Sequence, residues 1–519
     1  MLGVALGAFI GTLNSRMLAV GIPDIKGAMH LGFDEASWLP TILNMGMMFI
    51  GPFSVFLGGL LGARKVLLIC ASILVVVSLL LPFAPNLTCV LVLEAIAGMT
   101  AGSFYPLALS FILRNLPLRY SIFAIACYSS AIDVATNIAI PLHALYSRYL
   151  SWRWDYWTTA VLTPLMICLI WKGIPPAMPP KASGTKPSWT AFLFGSLGLA
   201  SLYGALDQGE RLDWLNSGTI VAMFAVAVFL LGFTIIRRLC TPNPLVDLPF
   251  LRQRNTLLMG AVLVLFRFTL LTTIILVPQY LTVIRGLRPE QISGTLLIVA
   301  LPQLPLALLT ALVLRRIDSR LPLAIGFFIT AIACVMNTYL SSDWACNDFI
   351  YSQMVMALGQ GIAFTSLIAN IIMQVFYTDA LGKGQWILTF SAYMHTCRIF
   401  GGECGASLIQ HVLTVQERVH SNLIGLHADA GGWLMQQRLG LLASGVSGRM
   451  NGMDGANAGA VGLLSMQLRR QAYTLAFIDG FNVIVLGVLI CLLLVLALKR
   501  TPITYGDLED VPGAPGVPR

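Results

Sequence analysis

Apolar residues fall along this chain in blocks of about twenty, separated by short stretches rich in Lys, Arg, Pro and Gly. Twenty helical residues rise about 30 Å, the thickness of a bilayer's hydrocarbon core. The blocks that meet that length are residues 3–23, 38–61, 66–85, 88–113, 119–143, 154–174 and 188–207, then 217–239, 257–281, 292–314, 322–340, 349–375, 386–410 and 476–498. The pattern predicts an all-α membrane protein with about 14 spanning helices, whose even number returns both chain ends to one side. The first block lacks a basic lead and a small-residue cleavage site, and a second span follows closely. It therefore reads as a retained helix rather than a cleaved signal.

Two regions break the rhythm. Residues 412–471 form a long, Gly-rich stretch between the last two blocks, with apolar patches (Trp433, Leu434, Leu439, Leu441, Leu442) that suit short amphipathic helices at the membrane interface. The tail 501–519 ends in GAPGVPR and is expected to be disordered. Basic residues then orient the chain. If the ends are cytoplasmic, about 18 Lys and Arg fall in the inner loops (among them Arg64, Lys65, Lys181, Lys186, Arg315, Arg316 and Lys383), against about 6 outside (Lys26, Arg148, Arg153, Arg211, Arg285, Arg288). That bias supports the helix count as well, because losing one middle span would scramble it.

Composition agrees. Charged residues make up 11% of 519, hydrophobic ones 57%, and mean hydropathy is +0.81. A soluble domain carries about 25% charged residues. The net charge of +9 is scattered as loop punctuation rather than gathered on a patch, so it does not point to nucleic acid. Cys70, Cys127, Cys168, Cys334 and Cys491 lie inside apolar blocks with no CxxC and no Cys/His ligand spacing; they read as small packing residues, and no metal is implied.

Ionisable residues inside the blocks are the candidate chemistry. Each costs at least about 2.5–3.5 kcal/mol at mid-bilayer unless paired or hydrated. Arg16, Glu94, Asp133, Arg267, Arg398 and Glu403 are the candidates. At 1.5 Å per residue, Arg16 and Glu94 lie roughly 10 Å below the outer edge and Asp133 about 15 Å below it. One base and two acids thus share a layer, either as a proton- or solute-loading cluster or as a static pair between helices. Arg398 and Glu403, five residues apart on one helix, face different ways and serve different partners. His143 and His395 are able to relay protons or simply to bond a neighbouring helix. Gly98, Gly102, Pro106, Pro302 and Pro305 permit close packing and bending. Trp152, Trp154 and Trp157 read as an interfacial aromatic belt.

Four stretches carry a family resemblance: LNSRMLAVGIP at 13–23, SWRW at 151–154, RIFGGECGASL at 398–408 and QAYTLAFIDGF at 471–481. Together they resemble the fourteen-span branch of the major facilitator superfamily, the EmrB/QacA-type drug:proton antiporters, and the resemblance runs over essentially the whole chain. It implies a six-helix bundle over 1–174 and two linking spans over 175–255. A second six-helix bundle follows over 256–500, with a long external loop at 412–471, and then a cytoplasmic tail over 501–519. It also implies alternating access, no cofactor, a bacterial cytoplasmic (inner) membrane location, and a periplasmic adaptor with an outer-membrane channel as partners. The implied substrate is a hydrophobic or amphipathic small molecule exported against protons.

Several positions depart from the family pattern. The acid of the first helix is here Asn14, with Arg16 two places on. The inner-face gate loop after the second helix survives as Gly62, Arg64 and Lys65, while its Asp-Arg is replaced by Gly59-Leu60. The fourth-helix arginine is replaced by Glu94. The fifth-helix antiporter motif aligns with Ala139-Ile140 and His143-Ala144. Exchange of acid and base between helices one and four suggests a proton-coupling pair of swapped polarity, Arg16 with Glu94. Loss of the fifth-helix motif favours a second reading, a carrier of one metabolite, siderophore, fatty acid or other organic acid. A sensor or intramembrane enzyme is a third, but no HExxH, GxSxG or Walker loop is present to support catalysis.

Overall fold

The structure is a computed structural model and describes residues 2–115, 118–173, 189–240, 251–377, 384–427, 432–447 and 452–499. The tail 501–519 and the inner-loop lysines Lys181, Lys186 and Lys383 lie outside the described residues.

The first half contains α1 (Leu2–Ala28), α2 (Phe33–Leu57), α3 (Ala63–Leu80), α4 (Leu87–Gly102), α5 (Phe104–Asn115), α6 (Leu118–Tyr149) and α7 (Trp154–Gly173). Then come α8 (Trp189–Gly209) and α9 (Gly218–Cys240). The second half begins with α10 (Arg254–Thr269), which continues through a π-helical turn at Thr272–Leu276 into α11 (Val277–Val283). It goes on through α12 (Pro289–Ala300), α13 (Gln303–Leu314), α14 (Arg320–Asn337), α15 (Ile350–Tyr377), α16 (Gly384–Leu426), α17 (Trp433–Val446) and α18 (Gly452–Ala497). Among the described residues, ten helical runs are long and apolar enough to cross a bilayer, and no strand occurs. The expected blocks coincide with helices, and where a block looked continuous, as in 88–113 and 292–314, Ser103 and Pro302 mark joints between two shorter ones.

The packing is inside-out relative to a soluble domain. On α3, Ile69, Ile73, Val76 and Leu80 form an exposed apolar stripe at helical spacing, while Ser54, Thr163, Asn337, Gln353 and Asn370 are buried. A skin of this kind is solvated by lipid tails, not water. Of the ten spanning runs among the described residues, α9 is the most peripheral, with Val228 and Phe229 both exposed.

Glycine sets the closest crossings. A Cβ on Gly98 of α4 would collide with the Leu43 carbonyl oxygen of α2, and one on Gly46 of α2 would lie 2.7 Å from the Ala95 carbonyl oxygen of α4. Each helix thus seats its backbone in the other's glycine notch. The start of α4 is fixed by Asn86, whose side chain accepts a hydrogen bond from the Cys89 amide at 2.9 Å. Asn86→Ala is expected to destabilise the fold by about 1 kcal/mol, read as a lower thermal midpoint in detergent with solute flux retained.

The region 412–471 differs from a loop carrying short helices. α16 is 43 residues long and α18 is 46, so both run well beyond a bilayer's thickness, and α17 packs along α18. His420 on α16 meets Asp479 on α18 at 2.7 Å, and Arg469 meets Glu417 at 3.5 Å. These pairs link the two long arms. Trp433, Leu434 and Leu441 on α17 remain exposed.

The two halves meet along α6, which packs on α12 and α13, and along α2 and α5, which pack on α16. α8 pairs with α9, lies against α2 and touches α16 less extensively. These contacts surround a central cavity.

Candidate functional site: the central cavity

The cavity has a volume of about 600 Å³ and runs along α1 from Thr12 to Pro23, about 16 Å at 1.5 Å per residue. At one end three arginines converge from three helices: Arg16 on α1, Arg267 on α10 and Arg398 on α16. The Nε atom of each is buried with no hydrogen-bond partner, and none of the three forms an ion pair among the described residues. The Arg398 guanidinium stacks on the Tyr105 ring, 3.5 Å from its centroid, a cation–π contact across the two halves. The Tyr105 hydroxyl is held in turn by Thr12 of α1. Arg267 lies against α16 where Gly402 leaves room for it; a Cβ there would sit 3.2 Å from its Nη2. Gly401 likewise lets α16 approach Val264 of α10. Of the glycine pair of RIFGGECG, Gly402 thus makes room for an arginine and Gly401 for the backbone of the same neighbouring helix.

Carboxylates occupy another wall. Glu403 of α16 and Asp207 of α8 both line the cavity, with Tyr203 of α8 in electrostatic contact with both. Asp207 accepts hydrogen bonds from Thr41 of α2 and, at 3.1 Å, from Gln208. Gln208 also donates to the Ser37 carbonyl at 3.2 Å and to the Thr41 hydroxyl, and Arg211 pairs with Asp34, so the end of α8 is fastened to α2 at four points.

The sequence candidates separate into two groups. Arg16, Arg267, Arg398 and Glu403 face the cavity; Asp133 on α6 is buried beside Arg267, close enough to influence it, with its Oδ1 unpartnered. Asn14 and Glu94 lie elsewhere. Two residues on a helix are about 200° apart, so while Arg16 faces the cavity, Asn14 turns to α7 and accepts a hydrogen bond from Thr159 at 3.2 Å. Glu94 is buried on α4 beside Tyr156 of α7, and no ion pair joins it to Arg16. The expected polarity-swapped pair is therefore not formed: its members project into different interhelical spaces. Of the gate-loop residues, Gly62 has φ of +88° and Arg64 donates to the Trp171 carbonyl of α7 at 2.8 Å. Arg64 thus caps a helix end within its own half. Arg398 and Glu403 do serve different partners.

Sequence reasoning missed Asp207, Asp24 and Asp155. Asp207 closed an apolar block, so hydropathy ended the helix there, whereas α8 continues to Gly209. Asp155 was hidden in the aromatic run after SWRW. It is fully buried, 3.0 Å from His143 Nδ1, and the other ring nitrogen of His143 lies 3.6 Å from Asp24, which also accepts from Ser147 at 3.0 Å. This histidine is thus bridged between a buried and a half-exposed acid. The second intramembrane histidine, His395, meets the Met47 carbonyl oxygen at 3.2 Å and packs against Gly51. With the Ser129–Thr365 hydrogen bond at 2.9 Å, it closes the two halves against each other below the arginines.

A lipid-skinned bundle whose two halves surround a cavity lined by apolar and charged side chains, sealed by side chains rather than by backbone, is the architecture of a solute carrier of the membrane. The chain belongs to the Major Facilitator Superfamily, whose family model matches residues 4–400. It is similar to the fatty acid resistance protein FarB of Neisseria gonorrhoeae, 23% identical over 427 residues, covering 82% of each chain. It is also similar to the multidrug export protein EmrB of Haemophilus influenzae (24% over 430 residues, 82% of each chain) and to EmrB of Escherichia coli (21% over 461 residues, 84% of this chain and 88% of that one). These relatives place it in the EmrB-like branch. The fold is shared with the proton:xylose symporter XylE bound to 6-bromo-6-deoxy-D-glucose, at a TM-score of 0.57 and 10% identity, covering 98% of this chain and 97% of that one.

Proposed function

We propose that this multi-pass transporter is a proton-coupled exporter of hydrophobic or amphipathic small molecules, working by alternating access in a bacterial cytoplasmic membrane with both termini inside. The observation that carries the reading is the acidic wall of the cavity, where Glu403 and Asp207 come from two helices that pack on opposite halves. Carboxylates at this depth are neutral or charged according to the side to which the cavity opens, and that is what proton coupling needs. Asp133 beside Arg267 is a third candidate proton site. The names of the EmrB and FarB relatives support the outward direction. Export through an adaptor and an outer-membrane channel belongs to the same reading, and a catalytic role does not.

The test is dye accumulation in cells with and without the protein, with and without a proton uncoupler. Glu403→Gln with Asp207→Asn is expected to abolish the uncoupler-sensitive part of efflux while leaving the folded yield unchanged. Unaltered efflux in that double variant would refute the assignment of these two acids.

A further inference from the structure

We propose that the three cavity arginines hold a small monovalent inorganic anion such as chloride, a counter-ion whose binding is linked to the proton on the Glu403–Asp207 pair. The inference deepens the exporter reading and rests on its assignment of those two acids. It concerns a bound ion, not the exported solute.

The charge count is the first ground. Arg16, Arg267 and Arg398 all line the cavity, and Arg267 lies within electrostatic reach of both others. Three acids stand against them, Glu403 and Asp207 on the cavity wall and Asp133 beside Arg267. Glu403 and Asp207 are hydrogen-bonded to each other. An ionised carboxylate only accepts, so that bond needs a proton on one of the two. The pair then carries a single negative charge, and three positive charges face two negative ones. The other groups around the cluster do not close the gap. Tyr105 of α5, Tyr128 of α6, Tyr203 of α8 and His395 of α16 carry no negative charge near neutral pH. Arg211, at the outer end, is already paired with Asp34. One positive charge is left over, and enclosing it without a partner is strongly unfavourable.

The donors are the second ground. Each guanidinium has a buried Nε with no hydrogen-bond partner, and the three come from α1, α10 and α16. A monatomic anion has no bonding direction of its own, so donors arriving from three helices are able to share it. Hydrogen bonds of this charge-assisted kind are the strong ones. A divalent anion would exceed the single missing charge.

The linkage follows from the count. When the acid pair gives up its proton, three positive charges face three negative ones and the anion is no longer needed. By reciprocity, an anion on the arginines tightens the hold of the pair on its proton. A cavity that gains and loses the two together keeps its net charge constant through the proposed cycle.

The experiment titrates chloride against gluconate at constant ionic strength on the full-length protein in lipid nanodiscs, at pH 6 and pH 8, and reads the thermal midpoint. A ligand of the folded state raises the midpoint saturably. The expected half-saturating chloride is roughly tenfold lower at pH 6 than at pH 8, within the usual range of coupling between two sites. Arg267→Gln and Arg398→Gln should each raise it about tenfold, the scale of one charge-assisted hydrogen bond lost. Glu403→Gln, which fixes one acid in its uncharged form, should bind chloride at pH 8 as tightly as the unmodified protein does at pH 6. Should an arginine variant fail to fold, the pH dependence of the unmodified protein and the behaviour of Glu403→Gln decide the matter. A midpoint that does not saturate with chloride overturns the proposal, as does a half-saturation equal at both pH values or one that ignores the arginine variants. The dye assay separates the two readings. Saturable, pH-linked chloride binding without uncoupler-sensitive efflux keeps the anion site and removes the exporter assignment, and the reverse pattern removes the anion site alone.

Discussion

A Gly98→Val variant is expected not to accumulate as folded protein. At this position α4 lies so close to α2 that any Cβ meets the Leu43 carbonyl oxygen and comes 2.8 Å from its carbonyl carbon. The obstacle is backbone in the middle of a long helix, so no side-chain rotation relieves it. Inserting methylenes into a packed interior costs about 1–3 kcal/mol where neighbours can shift, and here the two helices must separate along their whole crossing. Gly102, one turn on, faces Met47 of α2 in the same way, with its added Cβ 2.6 Å from the Met47 Cα. Fluorescence-detected size exclusion of the solubilised variant should show loss of the monodisperse peak, whereas Gly27→Val, where an added Cβ meets nothing within 4 Å, should leave it intact.

Gly51→Leu should fold yet not transport. Gly51 lies on α2 at the seal between the halves, where an added Cβ would sit 2.7 Å from His395 Nε2 on α16. Its neighbour is a side chain from the opposite half, so the clash is relieved by moving the halves apart. The seal around His395, Met47 and Tyr105 then fails to close, and the arrangement described here is depopulated. Carrier turnover needs both arrangements, and a bias of about 5.5 kcal/mol moves a two-state balance from one extreme to the other. Solute flux in proteoliposomes should fall to background while the thermal midpoint changes little. Pulsed electron resonance between spin labels on α2 and α16 should report a longer distance than in the parent. A variant with normal flux would show that the halves do not close through this glycine.

Much of the fold could be read from hydropathy, because spans obey one length rule and their ends are marked by charge. The block 154–174 became α7, Trp154–Gly173, and the joints within longer runs fell at Ser103 and Pro302. The cavity was half legible. Arg16, Arg267, Arg398 and Glu403 stood out because a charge inside an apolar block has few explanations, and all four face the cavity. Which way a residue points is a different matter. Asn14 and Arg16 differ by two positions and end on opposite sides of α1, which dissolves the pairing of Arg16 with Glu94. Asp155 and Asp207 were missed for another reason. Each sits within a turn of a helix end, where an acid is unremarkable in sequence, and only the neighbouring helices reveal that it is enclosed.

The attachment of α8 to α2 has a mechanical outcome. Thr41, Ser37 and Asp34 grip the end of α8, which ties this helix to the first half, whereas Glu403 belongs to the second. In the proposed alternating-access cycle, a swing of the halves draws Asp207 and Glu403 apart. Acids that share a confined space ionise less readily than acids held separately. In the proposed cycle the swing itself alters the hold on a proton, so α8 works as part of the engine and not as a spacer.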